Sequence, residues 1–442
     1  MSPVQVLKKA YLSTLGCKVN QFETAAFKSQ LERRGVIVTS SLEEADFIII
    51  NTCTVTAKAG SESRREVRKA LRLNDQARVV VTGCHAQLEY DELTRLPDID
   101  PARLMVAGND TKDSLVDKLL AGEPQLGPLQ LGDLNQHQEI APLQVDKFEG
   151  RTRAYLRVQD GCESFCSYCI VPYARGRSRS LPIAEVERQV SMYQQAGHRE
   201  IVVTGIHVGR YGLDLSEDCN IAGLLDRLCY GFPSIRFRLS SIEPLEITDT
   251  LLKLMAEAGN LMPHFHIPLQ SGDNEVLKRM NRRYTRKQFR EVVDKCRDAV
   301  PDAAIGFDIM VGFPGETKAM FENSRNLIET VDCTYLHVFP FSKRPGTRAA
   351  DFDKQIDSAV KQQRVAILRR LGRKKSRAFY RRFINSRREV LLETEKLSGG
   401  NLKGFTDNYI PVTVPRPEKL PSKPVSVKLI EVMDKSVLAR IV

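Results

Sequence analysis

Three cysteines stand in the run Asp160-Gly161-Cys162-Glu163-Ser164-Phe165-Cys166-Ser167-Tyr168-Cys169, a C-x3-C-x2-C spacing. Thiolates this close on a glycine-led loop can hold three corners of a [4Fe–4S] cube, because cluster iron prefers soft sulfur ligands. A fourth Cys would close the cube and suit plain electron transfer. Its absence leaves one iron open to an outside ligand, and an open iron is where a bound cofactor can be activated. Zinc is the alternative chemistry, but zinc loops pair two C-x2-C-like halves or add His ligands downstream. Neither follows here.

Three more cysteines carry the second signal. Cys17 follows the apolar run Tyr11–Gly16, Cys53 follows Phe47–Thr52, and Cys84 follows Val79–Gly83. These runs belong to an alternating pattern over residues 1–120. Strands are predicted at Ala10–Leu15, Val36–Thr39, Asp46–Ile50, Arg78–Thr82 and Leu104–Ala107, with helices at Gln21–Arg34 and Lys58–Leu73. Strands alternating with helices predict an open parallel α/β sheet. Ligands of such sheets gather at the carboxyl ends of the strands. All three cysteines sit at that edge, so they are expected to converge on one site. The plainer explanation is three small buried thiols at strand ends, since Cys is a common core residue. Three in register, each beside Gly, Thr or Asn, favour a second cluster.

The elements after residue 150 must position the first loop. Residues 121–150 lose periodicity and gain Gly, Pro, Gln and Asp, as a linker does. From about 151 to 345 the alternation resumes, with strands predicted at Ala154–Gln159, Glu200–Thr204, Ile235–Ser240, His264–Leu269, Ala304–Val311 and Tyr335–Phe341. Six such units make a partial (β/α)6 barrel, whose active residues sit on loops after the strand carboxyl ends. The C-x3-C-x2-C loop follows the first of them. Residues 361–387 read as a basic amphipathic helix. Over 361–390 there are twelve Lys or Arg against one acid, Glu389, with apolar Val365, Leu368, Leu371, Phe379 and Phe383 spaced along it. Residues 388–442 read as short strands at Arg388–Leu397, Tyr409–Val414, Val425–Val432 and Ser436–Ile441, a small β-barrel of oligonucleotide-binding style.

Composition narrows the class. The chain has 442 residues, ordinary for a protein of several domains, with 42% hydrophobic and 27% charged residues. No apolar leader and no membrane-length apolar stretch is visible, which predicts a cytoplasmic protein with no membrane association. Ten cysteines in that compartment argue for metal or redox chemistry rather than disulfides. The formal net charge of +11 points to a polyanionic partner, most simply nucleic acid. Cys219, Cys229, Cys296 and Cys333 lack ligand spacing and read as packing residues. His85 and His207 read as structural or supporting residues rather than general bases.

With these motifs in hand, the chain resembles the radical S-adenosylmethionine (SAM) methylthiotransferases over essentially its whole length. The likeness rests on Leu15-Gly16-Cys17-Lys18-Val19-Asn20-Gln21, Asn51-Thr52-Cys53, Thr82-Gly83-Cys84, the run from Asp160 through Arg177, His266–Gly272 and Gly312–Thr317. The resemblance implies an N-terminal methylthiotransferase domain over 1–120, a radical SAM domain over 151–360 and a TRAM-like RNA-binding barrel over 388–442. It implies two [4Fe–4S] clusters: Cys162, Cys166 and Cys169 around the SAM-binding one, and Cys17, Cys53 and Cys84 around an auxiliary one that carries or delivers sulfur. SAM would be cleaved to a 5′-deoxyadenosyl radical, and a second SAM would methylate the sulfur, so the chemistry lies at the clusters with no acid–base residue.

By the same likeness, Thr204, Gly205, Ser241, Glu243, Gln270, Ser271 and Gly312 are expected to cradle SAM, and Asn20 to support the auxiliary cluster. Thr204-Gly205-Ile206 departs from the commoner Gly-Gly-Glu form and offers no side-chain carboxylate there. The stretches Cys17–Thr24, Gly205–Gly212 and Phe341–Thr347 resemble the MtaB-like branch, which acts on N6-threonylcarbamoyladenosine in tRNA. The other branches modify isopentenyladenosine in tRNA or an aspartate of a ribosomal protein. The partners implied are tRNA and a reductant such as flavodoxin or ferredoxin. Arg175, Arg177, Arg373, Lys374 and Arg377 are the expected RNA contacts. Arg175, Arg177, Lys343 or Arg344 would pair with the threonyl carboxylate.

Overall fold

The structure, a computed structural model, describes residues 7–95, 103–121, 131–134, 136, 139–150, 152–216, 219–396, 400–417, 421 and 423–442. The N-terminal stretch read for a leader lies partly outside them, as do residues 122–130 of the expected linker and Leu397, the end of one predicted strand. The chain divides into two compact units: Met1–Lys147 with Arg157–Met192 and Ser342–Ala350, and Phe148–Leu156 with Tyr193–Phe341 and Asp351–Val442.

The first unit is built on five strands: β1 (Lys9–Thr14), β2 (Ile37–Thr39), β3 (Phe47–Thr52), β4 (Arg78–Gly83) and β5 (Leu104–Val106). They pair in the order β2-β1-β3-β4-β5, all parallel. Strand β3 reads Phe-Ile-Ile-Ile-Asn-Thr and is buried throughout because both faces are covered. Ile48 and Ile50 pack with Val79 and Val81 on one side; Phe47, Ile49 and Val80 pack on the other. Helix α1 (Lys18–Arg33) starts at Cys17, and α2 (Ala57–Leu73) is capped by Thr56, whose hydroxyl accepts from the Ala59 N–H at 3.1 Å. Helix α3 (Cys84–Leu88) begins directly after β4. The described part of 139–147 is packed chain rather than a loose tether: Ile140, Leu143 and Val145 are buried, and Val145 exchanges backbone bonds with the Gln189 amide.

Strand β6 (Arg153–Arg157) leads into a ribbon of two short antiparallel strands, β7 (Gln159–Asp160) and β8 (Arg179–Ser180), which closes the base of the Cys162 loop. The second unit continues with β9 (Glu200–Thr204), β10 (Arg236–Leu239), β11 (His264–Gln270), β12 (Ala304–Val311) and β13 (Tyr335–Pro340). They form two sheets, β10-β9-β6 and β11-β12-β13, linked by single parallel bridges Phe237↔Leu261 and Ser241↔His266. The six strands thus follow one another in chain order, the expected partial barrel. Alternate residues face opposite ways. Phe265, Ile267, Phe307 and Ile309 pack into the apolar core, while His266, Asp308 and His337 meet on the other face.

The helix Ser358–Arg381 starts at Asp357, whose carboxylate accepts from the Ala359 N–H at 2.7 Å. It buries Val365, Leu368 and Phe379 and leaves Arg373, Lys374 and Arg377 exposed. After it, β14 (Arg387–Lys396), β15 (Leu402–Thr406), β16 (Pro411–Val414), β17 (Val425–Val432) and β18 (Val437–Ile441) close into a barrel in the order β14-β15-β16-β18-β17. Closure leaves no open sheet edge. Strand β15 was absent from the four strands expected here: with Lys403 and Gly404 in its middle, its alternation is carried by only Leu402, Phe405 and Thr406.

Candidate functional site

Neighbouring strands deliver the first cysteine set. In the register, Thr14 faces Asn51, Asn51 faces Thr82, and Thr52 faces Gly83. Cys53 and Cys84 therefore leave adjacent strands at the same level, and Cys17 opens α1 just beyond β1. Gly16 allows the approach. Its φ is +99°, and a Cβ there would stand 2.7 Å from Cys53 Cβ and 2.8 Å from Cys53 Sγ. Any side chain at 16 would push Cys17 and Cys53 apart. The three thiols feel one another. Burial pushes the Cys53 thiol up to about 11, with Cys84 and Cys17 adding to the rise. Cys17 is exposed as a residue, yet the packing around its sulfur still raises its thiol, against the opposing pull of Arg175.

Among the described residues, no three His, Cys, Asp or Glu side chains close around a point the size of a single metal ion. A cubane is a larger body and holds its thiolates further apart, at separate corners. Three sulfurs from three strand ends, lacking any carboxylate, are a donor set that suits such a cluster, and burial raises two of them, Cys17 and Cys53. Metal binding would supply the positive charge that thiolate formation needs.

A buried ion network supports this edge. Asn20 donates its Nδ2 to the carbonyls of Leu15 at 2.7 Å and Thr52 at 3.0 Å, tying α1 to the strand ends that carry Cys17 and Cys53. Its Oδ1 accepts from Arg175 Nη2 at 2.6 Å. Arg175 is 1% exposed. It also donates Nη1 to Glu23 at 2.5 Å and Asp160 at 3.2 Å, and Nε to Cys84 Sγ at 3.3 Å. Lys112 pairs with Glu23, and Arg157 lies 3.7 Å from Glu23 and 3.4 Å from Asp160. Burial alone would raise the Glu23 carboxyl; Arg175, Lys112 and Arg157 together hold it well below the usual range. The expectation that Arg175 contacts RNA therefore does not hold. An arginine this deep, with each nitrogen engaged, has no face left for a phosphate. Arg344 is likewise buried, bonded to Thr54 and 3.6 Å from Glu89, which removes it from the exposed cations. Arg177 and Lys343 are exposed.

The Cys162 loop is pinned at its base. Gly161 has φ +77°, and a Cβ there would meet the Arg177 carbonyl oxygen at 1.8 Å. Cys162 N–H donates to Gly176 O at 3.0 Å, and Gln159 Nε2 donates to Asp160 O, Gly161 O and Ser178 Oγ at 2.8–2.9 Å. A turn closes Cys169 N–H on Cys166 O at 2.9 Å. The three thiols are half-buried, and no cysteine is in a disulfide.

The residues expected around SAM gather at the carboxyl ends of β9, β10, β11 and β12. Thr204 ends β9 and Gly205 follows it. Ser241 follows β10. Gln270 ends β11 with a left-handed φ of +58° beside a register shift. Glu243 is not a solvated turn carboxylate: it pairs with Arg282, and burial still pushes it up against Arg282 and His207. Ser271 departs from the expectation of a ligand contact. It is fully buried, its hydroxyl 3.3 Å from Ser324 Oγ and accepting from Asp273 N–H at 3.2 Å. The Gly312 N–H is held by the Glu316 carboxylate at 2.6 Å. His207 bonds Glu246 at 2.7 Å, and Cys229, Cys296 and Cys333 are core residues.

Sequence reasoning missed two groups. One is Glu23 with Lys112, Arg157 and Asp160. A signal for it existed: Glu23 falls on the buried row Val19, Glu23, Phe27, Leu31 of α1, and a carboxylate on an apolar stripe needs buried partners. The other is the non-core face of β11–β13. There His266 bonds Asp308 at 2.9 Å, His266 and His337 rings lie 5.2 Å apart, and Phe339 is 46% exposed beside His337.

Comparison with known proteins decides the family. A model of the radical SAM superfamily matches residues 156–328, and one described as uncharacterized protein family UPF0004 matches residues 9–103. The threonylcarbamoyladenosine tRNA methylthiotransferase MtaB of Bacillus subtilis is 37% identical over 95% of this chain and 93% of its own. The chain belongs to the radical SAM methylthiotransferase family. A second MtaB, from Aquifex aeolicus, is 36% identical over 91% of this chain and 96% of its own. A tRNA-2-methylthio-N(6)-dimethylallyladenosine synthase of Fusobacterium nucleatum is 34% identical over 81% and 82%. Among solved structures, the radical SAM methyltransferase TsrM of Kitasatospora setae superposes with a TM-score of 0.54 at 16% identity, covering 78% of this chain and 74% of that one, a likeness of fold. SAM and a [4Fe–4S] cluster are the cofactors of radical SAM proteins, and this chain is one.

Proposed function

We propose that this chain methylthiolates carbon 2 of N6-threonylcarbamoyladenosine at position 37 of tRNA, next to the anticodon. The observation that carries the reading is full-length likeness to relatives named for that substrate, at 36–37% identity, against 32–34% for those named for dimethylallyladenosine. We assign Cys162, Cys166 and Cys169 to the SAM-binding cluster and Cys17, Cys53 and Cys84 to an auxiliary one. Bound there, the clusters would supply the electron that cleaves SAM and the sulfur that replaces hydrogen on the base, with a second SAM as the methyl donor.

The chain's own residues bind, orient and shield. Gly16 and Asn20 hold the strand ends at the spacing the three sulfurs need. The Gln159 amide and Gly161 fix the loop of the other three. Thr204, Gly205, Ser241, Gln270 and Gly312 stand where SAM would be received, with Glu243 oriented by Arg282 and Ser271 shaping the turn from within. Residues 1–120, 151–360 and 388–442 keep their roles as sulfur-insertion, radical SAM and RNA-binding domains. Arg177, Arg373, Lys374 and Arg377 meet tRNA phosphates. A loop base is already open to solvent and can be splayed out for little unstacking energy, and His337 and Phe339 offer it a stacking face. The electron comes from a small carrier such as flavodoxin or ferredoxin, and a tRNA substrate places the work in the cytoplasm.

Nucleoside mass spectrometry of tRNA from a strain lacking the gene tests this. Loss of 2-methylthio-N6-threonylcarbamoyladenosine, with build-up of its unthiolated precursor, is expected. Loss of the isopentenyl product instead would move the substrate and keep the reaction. No change in either nucleoside would turn attention to ribosomal proteins.

A further inference from the structure

Two groups of the buried network touch sulfur: the Asn20 amide oxygen, which accepts from Cys17 Sγ at 3.7 Å, and the Arg175 guanidinium, the cation among them. Arg175 Nε stands 3.3 Å from Cys84 Sγ, while its other nitrogens are fixed by Asn20, Glu23 and Asp160. Neither end of this arrangement can drift. Asn20 is itself bonded to the strand ends around Cys17 and Cys53, and Asp160 accepts from the backbone N–H of Gly161, next to Cys162. Arg175, Arg157 and Lys112 are three cations facing two carboxylates, Glu23 and Asp160, all nine-tenths or more buried. The excess positive charge therefore lies against buried Cys84, where water screens it little.

We propose that Arg175 is a positioning residue that holds the Cys84 sulfur and raises the reduction potential of the auxiliary cluster. Reducing a cluster adds one negative charge, which spreads over the ligand sulfurs. An N–H aimed at one sulfur and a buried cation beside it favour the reduced form, and hydrogen bonds to the sulfurs are a main control on cluster potential. A lysine would not do the same. It carries the charge, but its single ammonium on a flexible stem cannot meet Cys84, Asn20 and Glu23 together, as the rigid fork does. The proposal rests on the auxiliary cluster assigned above.

The test is potentiometric EPR on the reconstituted full chain, read in a Cys162→Ala/Cys166→Ala/Cys169→Ala background so that only the auxiliary signal remains. Two changes are compared with that parent. Arg175→Lys keeps the countercharge of Glu23 and Asp160. Arg175→Met removes the cation and its N–H groups and leaves Lys112 and Arg157 to balance Glu23 and Asp160, so no unpaired carboxylate is left to unfold the protein. In both, the ratio of reduced to oxidised cluster at a fixed potential should fall about tenfold, a midpoint about 59 mV lower for one electron. Iron content should match the parent. An unmoved midpoint with full iron overturns the tuning role, and loss of the cluster from both variants makes Arg175 a structural strut instead. A parent that binds no iron would instead sink the auxiliary-cluster assignment itself.

Discussion

The side-chain amide of Asn20 accepts from Arg175 Nη2 at 2.6 Å while its own Nδ2 donates to the carbonyls of Leu15 and Thr52. One buried side chain thus joins the start of α1, the end of β3 and the segment that follows Cys169. Asn20→Ala would take a donor from two buried carbonyls and leave Arg175 Nη2 only its longer, 3.4 Å bond to Glu23. A loss of about 1–3 kcal/mol in chemical denaturation is expected for each buried group left unmade. Iron bound after anaerobic reconstitution should fall with it. Asn20→Asp, which keeps the acceptor for Arg175 and loses the donors, should destabilise as well, separating the two ends of the amide.

Two three-cysteine constellations predict two clusters. Anaerobically reconstituted protein should hold about eight irons, four per cubane. Replacing Cys162, Cys166 and Cys169 with Ala should halve the iron and abolish SAM cleavage. Replacing Cys17, Cys53 and Cys84 should also halve the iron, yet leave some SAM cleavage. Full iron in the second variant would show that those thiols hold no cluster.

Glu200 and Arg238 form a different kind of pair. Both are buried on adjacent strands, Arg238 Nε donating to Glu200 at 2.9 Å and Nη1 to the Asp407 carbonyl of the C-terminal barrel at 3.1 Å. Burial would raise the Glu200 carboxyl, but Arg238 lowers it below its ordinary value. The sign follows. A depressed carboxylate stabilises the fold above its unfolded value, about 4.3, and that share is lost as pH falls through the lower folded value. Glu200→Gln should cost about 3–5 kcal/mol at neutral pH, because it leaves Arg238 buried without a counter-ion. The difference from the parent should narrow as pH drops below about 4.3, and thermal melts across that range would show it.

Strands were legible because their signal is local. The run Phe47–Ile50 between turn residues marks a strand with no help from the rest of the chain, and the structure moves its ends by only one or two residues. The placement of Cys17, Cys53 and Cys84 was legible for the same reason, since each follows such a run. Arg175 was misread because its environment is assembled from distant pieces. Glu23, Lys112 and Asp160 are spread over more than a hundred residues, and a lone Arg after a cysteine loop looks like surface charge until the fold buries it. Strand β15 escaped for lack of signal rather than distance: its pairing with β14 and β16 supplies what its own sequence does not.

The basic helix makes a prediction about salt. Arg373, Lys374 and Arg377 are exposed on the helix Ser358–Arg381, whose apolar side is anchored by Val365, Leu368 and Phe379. Charge reversal at all three should weaken tRNA binding and flatten the salt dependence by about one unit of slope for each phosphate no longer neutralised. SAM cleavage without tRNA should stay at the parent rate. Binding measured across several salt concentrations gives the slope, and an unaltered slope would place the phosphates elsewhere.

Phe339 calls for the opposite signature. It is 46% exposed on β13, two residues from His337, and those rings lie 6.4 Å apart with planes 31° from parallel. On the same face, His266 is held by Asp308 at 2.9 Å and lies 5.2 Å from His337. The other face of β13 is occupied by the long helix, where Gly372 fits against Leu336. A large aromatic ring left open beside two ordered imidazoles is suited to stacking a splayed base. Such stacking is worth about 1–3 kcal/mol per base. Phe339→Ala should therefore weaken binding of an anticodon stem-loop carrying the modified adenosine by about 5- to 150-fold. Phe339→Tyr should retain most of it. Because an uncharged ring neutralises no phosphate, the salt slope should match the parent, unlike that of the helix variants. A stem-loop lacking the base at position 37 should bind parent and Phe339→Ala equally. If the abasic RNA still distinguishes the two proteins, the ring supports the strand rather than the substrate, and the stacking face must be sought elsewhere on the barrel.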